Sequence, residues 1–491
     1  MGALKPKASA LAGYVIGVYG SGGAPWHHLA LAAAHGAEVR PVRAYDVAAG
    51  RLEGVDVLIV PGGGATAMAG LLAPLGADGT AAIRAWVRRG GTYVASCAGS
   101  VLPLALAGAA DAALPFARAL RMLDVPLANP GDATLGGLSS PGVGRIRVRV
   151  DREHPYARGL PEQVELIHYN GPLFDLRAAP PGVRAFAWPT APTDAFTAAE
   201  AFLPEGAESR PPTTIERCIA AGAATGIEAA FGDGRVVLFG SHPEFGLGPL
   251  LLGWGAGADL LVAALAHRPP RTERGREPGF GWSVSQEHAG RSAPELAAGA
   301  VDDLHRMSAR FAALAQKPPD AWLDDTHAAR FHGRDARSAW HDDTRAAAHV
   351  ATAAALDLAT LAPDATSVDT PWLDDAARAD QDFGAMGLTQ LVGRIDAMLS
   401  AAEGAADRPP RRPVHAYDLF DEHPYHLAVA SYLSAAGLSA AALLVVATIA
   451  ARRGVIGPHA AASLWAETAS SKREHPPSEC PLPTEGVPCC S

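Results

Sequence analysis

Between residues 13 and 267 the chain alternates short apolar runs with helix-like segments. No other feature constrains the fold as much. Val55–Val60 (VDVLIV) is almost wholly apolar, as a strand buried on both faces of a parallel sheet must be. Tyr14–Tyr19, Glu38–Ala44 and Thr92–Ser96 read as further strands, and Pro25–His35, Ala81–Arg89 and Val101–Ala110 as helices between or after them. Arg145–Val150, Val164–His168, Gly226–Phe231 and Arg235–Phe239 are strand-like in turn. Strands alternating with helices predict a doubly wound α/β sheet.

The second half reads differently. Residues 268–291 are rich in Pro, Gly and charge and are expected to be a linker. Ser292-Ala-Pro-Glu295 then forms a capping box. Leu304, Met307, Phe311 and Leu314 follow on one helical face. No strand is expected from there to about residue 468. The helices break at Lys317-Pro-Pro319, near Pro363, and at Arg408-Pro-Pro-Arg-Arg-Pro413. The expected organisation is an α/β domain over 13–267, a linker, an α-helical domain over 292–468, and a disordered tail over 469–491.

Two features of this half carry alternative readings. The echo Trp322-Leu-Asp-Asp, Trp340-His-Asp-Asp and Trp372-Leu-Asp-Asp fits helix starts, with Trp as a staple and Asp as a cap. The irregular spacing of His327, His332, His341 and His349 matches no metal motif, and no metal is expected. Leu427–Ala451 carries no charge and is followed by Arg452 and Arg453, so its length suits a membrane span. Its Ala and Ser content, with Gly437 at a turn and Ser439 capping a second helix, suits a buried helical hairpin equally.

Composition narrows the function. Acidic residues outnumber basic ones, 51 to 41, for a net charge of −10, which argues against nucleic acid as the main partner. Five cysteines in 491 residues are no disulfide framework and fit a reducing cytosol. The apolar stretch at the N-terminus is too short for a signal peptide and reads as the first strand. There is no Walker A sequence, and Tyr19-Gly-Ser-Gly-Gly-Ala24 is not a dinucleotide fingerprint, so no cofactor is expected. Cys218 reads as structural, and Cys480, Cys489 and Cys490 belong to the tail. His27 and His28, at the first helix start, are expected at the surface.

The chemistry concentrates at three expected strand ends. Gly91-Thr-Tyr-Val-Ala-Ser-Cys97-Ala-Gly-Ser100 is a buried strand ending in small residues before a helix, the sequence of a nucleophile elbow. A helix start there would stabilise a Cys97 thiolate, and the Ala98 amide would face an oxyanion. Arg235–Phe239 leads into Ser241-His242-Pro-Glu244, which supplies an imidazole base and a carboxylate to orient it once Pro243 bends the chain. Ile59-Val-Pro-Gly-Gly-Gly64 leaves backbone amides free at a third strand end. Open α/β sheets place their sites at such strand ends.

At Pro61-Gly-Gly-Gly64, Cys97-Ala-Gly99, Tyr169-Asn-Gly-Pro-Leu-Phe174 and Ser241-His-Pro-Glu-Phe245 the chain resembles the class I glutamine amidotransferase-like fold. Within it, the likeness is greatest to the N-terminal domain of biotin-protein ligases, over roughly residues 13–267. The resemblance implies a flavodoxin-like doubly wound parallel sheet. It also implies Cys97 as nucleophile, His242 as base, Glu244 as its orienter, Gly63, Gly64 and Ala98 as oxyanion donors beside Gly99, and Asn170 near the pocket. Ala95 stands where amidotransferase elbows usually have Gly, and Ser100-Val-Leu-Pro103 departs from the usual continuation. Arg274-Gly-Arg276 lies in the linker, with no ligase domain around it.

Two function classes follow, each with a small molecule in the site. One is a cytoplasmic Cys-His-Glu hydrolase acting on a carboxamide or related acyl group through a thioester. The other is a non-catalytic binding or regulatory module whose helical half docks a protein partner. A membrane-anchored version of either depends on Leu427–Ala451.

Overall fold

The computed structural model describes residues 10–21, 25–63, 67–104, 120–130, 141–197, 214–245, 255–268, 291–316, 336–367, 369–374 and 388–406. Its centre is a nine-stranded sheet. The strands are β1 (Val15–Tyr19), β2 (Glu38–Val42), β3 (Val57–Val60), β4 (Thr92–Ser96), β5 (Val143–Val150), β6 (Gln163–Tyr169), β7 (Arg184–Thr197), β8 (Gly226–Phe231) and β9 (Gly234–Phe239). Their order is β2-β1-β3-β4-β9-β8-β7-β5-β6.

The five strands from β2 to β9 are parallel and follow the flavodoxin-like order. The four beyond are antiparallel, so the sheet is mixed rather than wholly parallel as expected. The cause is connection length. The tight turn Gly232-Asp233 joins β8 and β9 as a hairpin, and a hairpin can only be antiparallel.

Each face of the parallel half carries its own apolar layer. On one face Ile16, Val18, Ile59, Val94 and Phe239 pack with α1 (Trp26–Ala34) and the later helix Ala256–Leu265. On the other, Val15, Leu58, Tyr93, Ala95 and Leu238 meet Leu71, Leu72, Ile83 and Trp86 of the helix Ala67–Arg88. That helix begins well before the expected Ala81 and bends at Gly76, whose φ is +58, two residues after Pro74. In chain order it is α3, after α2 (Ala44–Ala48). Thr214–Ala220 is α4 and Ala256–Leu265 is α5.

β7 was not legible in the sequence, because Pro189 and Pro192 lie within it. Its pairing with β5 shifts register between Arg147 and Val148, where the ladder accommodates them. Val101–Ala110 is not the expected helix in its described part. Val101–Pro103 is a turn, and Leu104 bridges to Leu123. Pro103 has no N–H to continue a helix, and its carbonyl instead accepts the amides of Met122 and Leu123.

The helical region contains α6 (Ala293–Gln316), α7 (Ala336–Leu361), α8 (Thr370–Leu373) and α9 (Leu388–Ala406). The capping box forms as expected. The Ser292 amide donates to Glu295 Oε2 at 2.7 Å, and the Glu295 amide donates back to Ser292 Oγ at 3.4 Å. Leu304, Met307 and Phe311 are fully buried along one face of α6, against α7 and α9. This apolar cluster is continuous with the one beneath β1 and β3.

The Trp-x-Asp-Asp echo does not mark helix starts where it is described. Trp340 lies inside α7, and Trp372-Leu373 closes α8 just before Asp374. Trp322, His327 and His332 lie outside the described residues, and His349 is exposed. Residues 269–290, Leu427–Ala451 and the tail with its three cysteines also lie outside them. Among the described residues no helix is long and apolar enough to cross a membrane.

Candidate active site

β4 enters the site from a buried strand and stops abruptly. Cys97 has φ +49, a left-handed conformation that a side-chain-bearing residue rarely adopts. It opens a single 3-10 turn, Cys97–Ser100, and three contacts hold that turn. Ser100 Oγ donates to Phe239 O at 2.7 Å, and Tyr93 OH donates to Gly99 O at 2.8 Å. Gly99 packs so tightly that a Cβ there would lie 2.3 Å from Val60 O. The elbow is therefore as expected, but only this one turn follows it, and a helix dipole behind the thiol is lost with the helix.

β9 runs parallel to β4, with Ser96 opposite Phe239, so the segment after it emerges beside Cys97. The His242 amide donates to Ile167 O at 2.7 Å, and a 3-10 turn over Pro243–Phe245 folds Glu244 back. His242 Nδ1 donates to Glu244 Oε1 at 2.6 Å. The sharp bend expected of Pro243 is what closes this contact. Phe245 stacks on the His242 ring, with centroids 4.7 Å apart. His242 Nε2 is buried and makes no hydrogen bond.

Cys97 is half-buried, and its thiol donates to Tyr169 O at 3.4 Å. Gly62 fits between the two reactive groups. A Cβ on it would lie 2.9 Å from His242 Cε1 and 3.4 Å from Cys97 Cβ. The Tyr169–Gly171 segment forms a further wall. Asn170 has φ +51, and its amide donates to Gly142 O. A Cβ on Gly171 would lie 1.9 Å from Gly240 O. Buried Asn129 clamps this segment, donating to Gly171 O at 3.1 Å and accepting from the Leu173 amide at 2.8 Å.

Of the residues expected from the sequence, Cys97, His242 and Glu244 come together. Ala98 and Gly99 are buried in the elbow, and Gly63 is half-buried beside Gly62 at the same sheet edge. Asn170 is half-buried next to the carbonyl that holds the thiol. Gly64 lies outside the described residues. Cys218 is buried away from this group, its thiol donating to Ala128 O at 3.4 Å.

Other members were not foreseen. His27 and His28 are buried, not at the surface as expected. His27 sets its ring edge against Phe245 at 4.7 Å, and His28 Nε2 stands 3.6 Å from Glu244 Oε2. Ser96 Oγ donates to Glu244 Oε1 at 3.1 Å and lies 3.3 Å from His28 Nε2. Behind them His168 Nδ1 is 3.1 Å from Ser241 Oγ, which also meets Thr225 Oγ1 at 2.8 Å. The only sequence signal for His28 was its place just after the first strand, where the crossover helix begins.

The protonation states follow from burial and charge. Burial alone would push the Glu244 carboxyl up, but His28 and His242 hold it at about 2, so it is an anion. Burial would push His242 down. The Glu244 carboxylate and the neighbouring Cys97 sulfur outweigh that and hold the ring protonated up to about 10. Burial depresses His28, more than the Glu244 charge restores it, and burial with the His242 charge brings His168 to about 3, so both are neutral. The site is thus one carboxylate, one imidazolium and a thiol, with two neutral imidazoles around them.

No family model matches the chain, and no curated protein matches it. Among solved structures it is similar to a GMP synthase subunit of Thermoplasma acidophilum. The identity is 14%, the match covers 51% of this chain and 92% of that one, and the TM-score is 0.31. It is also similar to a cytoplasmic protein of Salmonella typhimurium, at 13% identity over 52% of this chain and 98% of that one, with a TM-score of 0.33.

Proposed function

We propose that this protein is an amidotransferase-like Cys-His-Glu hydrolase acting on a carboxamide or related acyl group. The observation that carries this reading is the 2.6 Å His242–Glu244 contact beside a cysteine held at a left-handed backbone angle. Structural cysteines need neither feature.

In the proposed reaction the Cys97 sulfur attacks the acyl carbon, and the carbonyl oxygen takes the displaced electron pair. The amides of Gly63 and Ala98 receive that oxyanion. His242, already protonated and held by Glu244, gives its Nε2 proton to the leaving amine as the C–N bond breaks. The resulting thioester is cleaved by water, whose proton returns to His242. The four motifs at Pro61, Cys97, Tyr169 and Ser241 support placing the site with biotin-protein ligase N-terminal domains within the amidotransferase-like class. No cofactor is required, and a cytoplasmic setting suits a free thiol.

One observation favours the alternative, a binding module. The resting thiol donates to the Tyr169 carbonyl rather than to His242. Mass spectrometry of the intact protein after incubation with glutamine and a panel of simple amides decides between them. A covalent acyl adduct on Cys97, released by hydroxylamine and missing in Cys97→Ser, supports the hydrolase. Non-covalent binding that survives Cys97→Ser, without any adduct, supports the module.

A further inference from the structure

We propose that His28 is a fourth, positioning member of the site, whose Nε2–H holds the second oxygen of Glu244 so that the first stays on His242. This rests, for its functional meaning, on the Cys-His-Glu reading above.

The geometry is specific. Each Glu244 oxygen faces a different imidazole. Oε1 takes His242 Nδ1 at 2.6 Å and the Ser96 hydroxyl at 3.1 Å. Oε2 is buried without a hydrogen bond and faces His28 Nε2 at 3.6 Å. A buried carboxylate oxygen left unpaired costs on the order of 1–3 kcal/mol, so a small approach of His28 is strongly favoured. Ser96 fixes the direction of the proton. Because its hydroxyl hydrogen goes to Glu244, its oxygen can only accept from His28, 3.3 Å away. The proton of neutral His28 is therefore on Nε2, between two acceptors, while Nδ1 is bare and buried.

The charge balance gives the arrangement its purpose. A cation in place of His28 would compete with His242 for the carboxylate. A neutral donor saturates Oε2 yet leaves the negative charge for the His242 imidazolium. The groups around His28 are Glu244, His242 and Ser96, and the first two already form an ion pair. His28 can thus steady the carboxylate without changing the net charge of the site.

The test reads Glu244 directly, with carboxyl carbon NMR of glutamate-labelled protein and Glu244→Gln to assign the signal. In the wild type the Glu244 signal should stay constant from pH 7 down to pH 3. In His28→Leu its titration should move up into the ordinary carboxyl range, by more than one pH unit. His28→Gln, whose side-chain amide reaches the Nε2 position, should restore the wild-type behaviour, and His28→Asn, which is too short, should not. The Asn–Gln contrast serves if the Leu variant fails to fold. Alkylation of Cys97 by iodoacetamide at pH 7, followed in parallel, should fall about tenfold in His28→Leu and recover in His28→Gln.

An unmoved Glu244 titration in folded His28→Leu, or a Gln variant no better than Asn, would overturn the proposal. A wild-type Cys97 no more reactive than a free thiol would sink the hydrolase reading instead. The NMR result would still report whether His28 holds Glu244.

Discussion

Two buried glutamates on the same face of this sheet have nearly the same electrostatics and opposite prospects. Glu228, on β8, and Glu244, beyond β9, are both held as anions at about 2, against the upward push of burial, and each meets a histidine. Around Glu228 every charge is closed. His154 Nε2 is 3.1 Å away, Tyr156 OH donates to it at 2.5 Å, and Arg235 pairs with it. Tyr156 in turn packs against Phe186 and His267. Around Glu244 the chain of contacts stays open at one end, because His242 offers an unpaired Nε2 toward a thiol. A strongly shifted carboxylate therefore marks a functional site only when its partner has an unspent valence. The Glu228 cluster meets the electrostatic criterion and lacks the chemical one.

The largest expected effect follows from the closed cluster. Glu228→Ala strands the Arg235 guanidinium and should cost about 3–5 kcal/mol of stability, read by urea unfolding. It should leave the alkylation rate of Cys97 within twofold of wild type. A large change in that rate would break the contrast between the two glutamates.

At the open site the effect should be on reactivity. His242→Ala should slow Cys97 alkylation at pH 7 about 100-fold, on the scale of a lost general base, with folding intact by circular dichroism. An unchanged rate would make the two clusters equivalent.

Next is the wall that holds the thiol. Gly171→Ala places a methyl 1.9 Å from Gly240 O, so the Tyr169–Gly171 segment must shift. A loss of about 1–3 kcal/mol is expected, together with a severalfold change in Cys97 alkylation as the Tyr169 carbonyl leaves the thiol. The stability loss without any change in alkylation would show that the carbonyl does not restrain the sulfur.

The finest distinction is in pH dependence. Glu244 is depressed, so its stabilisation is present above about 4.5 and lost as pH falls toward 2. His242 is raised, so its share is present below about 6.5 and lost as pH rises through about 10. The stability difference between wild type and Glu244→Gln should therefore peak between about pH 4.5 and 6.5 and decline on both sides. For Glu228→Gln it should decline on the acid side alone, because Arg235, raised above its ordinary value, stays charged throughout. A two-sided profile for both, from chemical unfolding across pH, would erase the distinction.

What was legible in the sequence shares one property: it is local. The apolar runs at β1, β3 and β4 give strands because a strand buried on both faces must be apolar along its whole length. The spacing of Leu304, Met307 and Phe311, and the Ser292–Glu295 box, fix α6 because helix faces and caps repeat within one or two turns. Cys97, His242 and Glu244 were legible because each stands at a strand end, where parallel strands deliver their following residues to one edge. The interrupted strand β7, the antiparallel half of the sheet and the failure of a helix to follow Cys97 depended on partners far along the chain.

The same division runs through the site. The sequence by itself determined which side chains could do the chemistry, since their types and their strand-end positions are properties of short segments. Only the tertiary structure decided which atoms meet. It brought His28 from the first crossover, 216 positions before Glu244, to the unpaired carboxylate oxygen. It set Asn129 under Gly171 and turned the thiol toward Tyr169. Side-chain hydrogen bonds between distant segments leave no period in a sequence, and burial, which set every shifted charge here, is a property of the whole packed sheet.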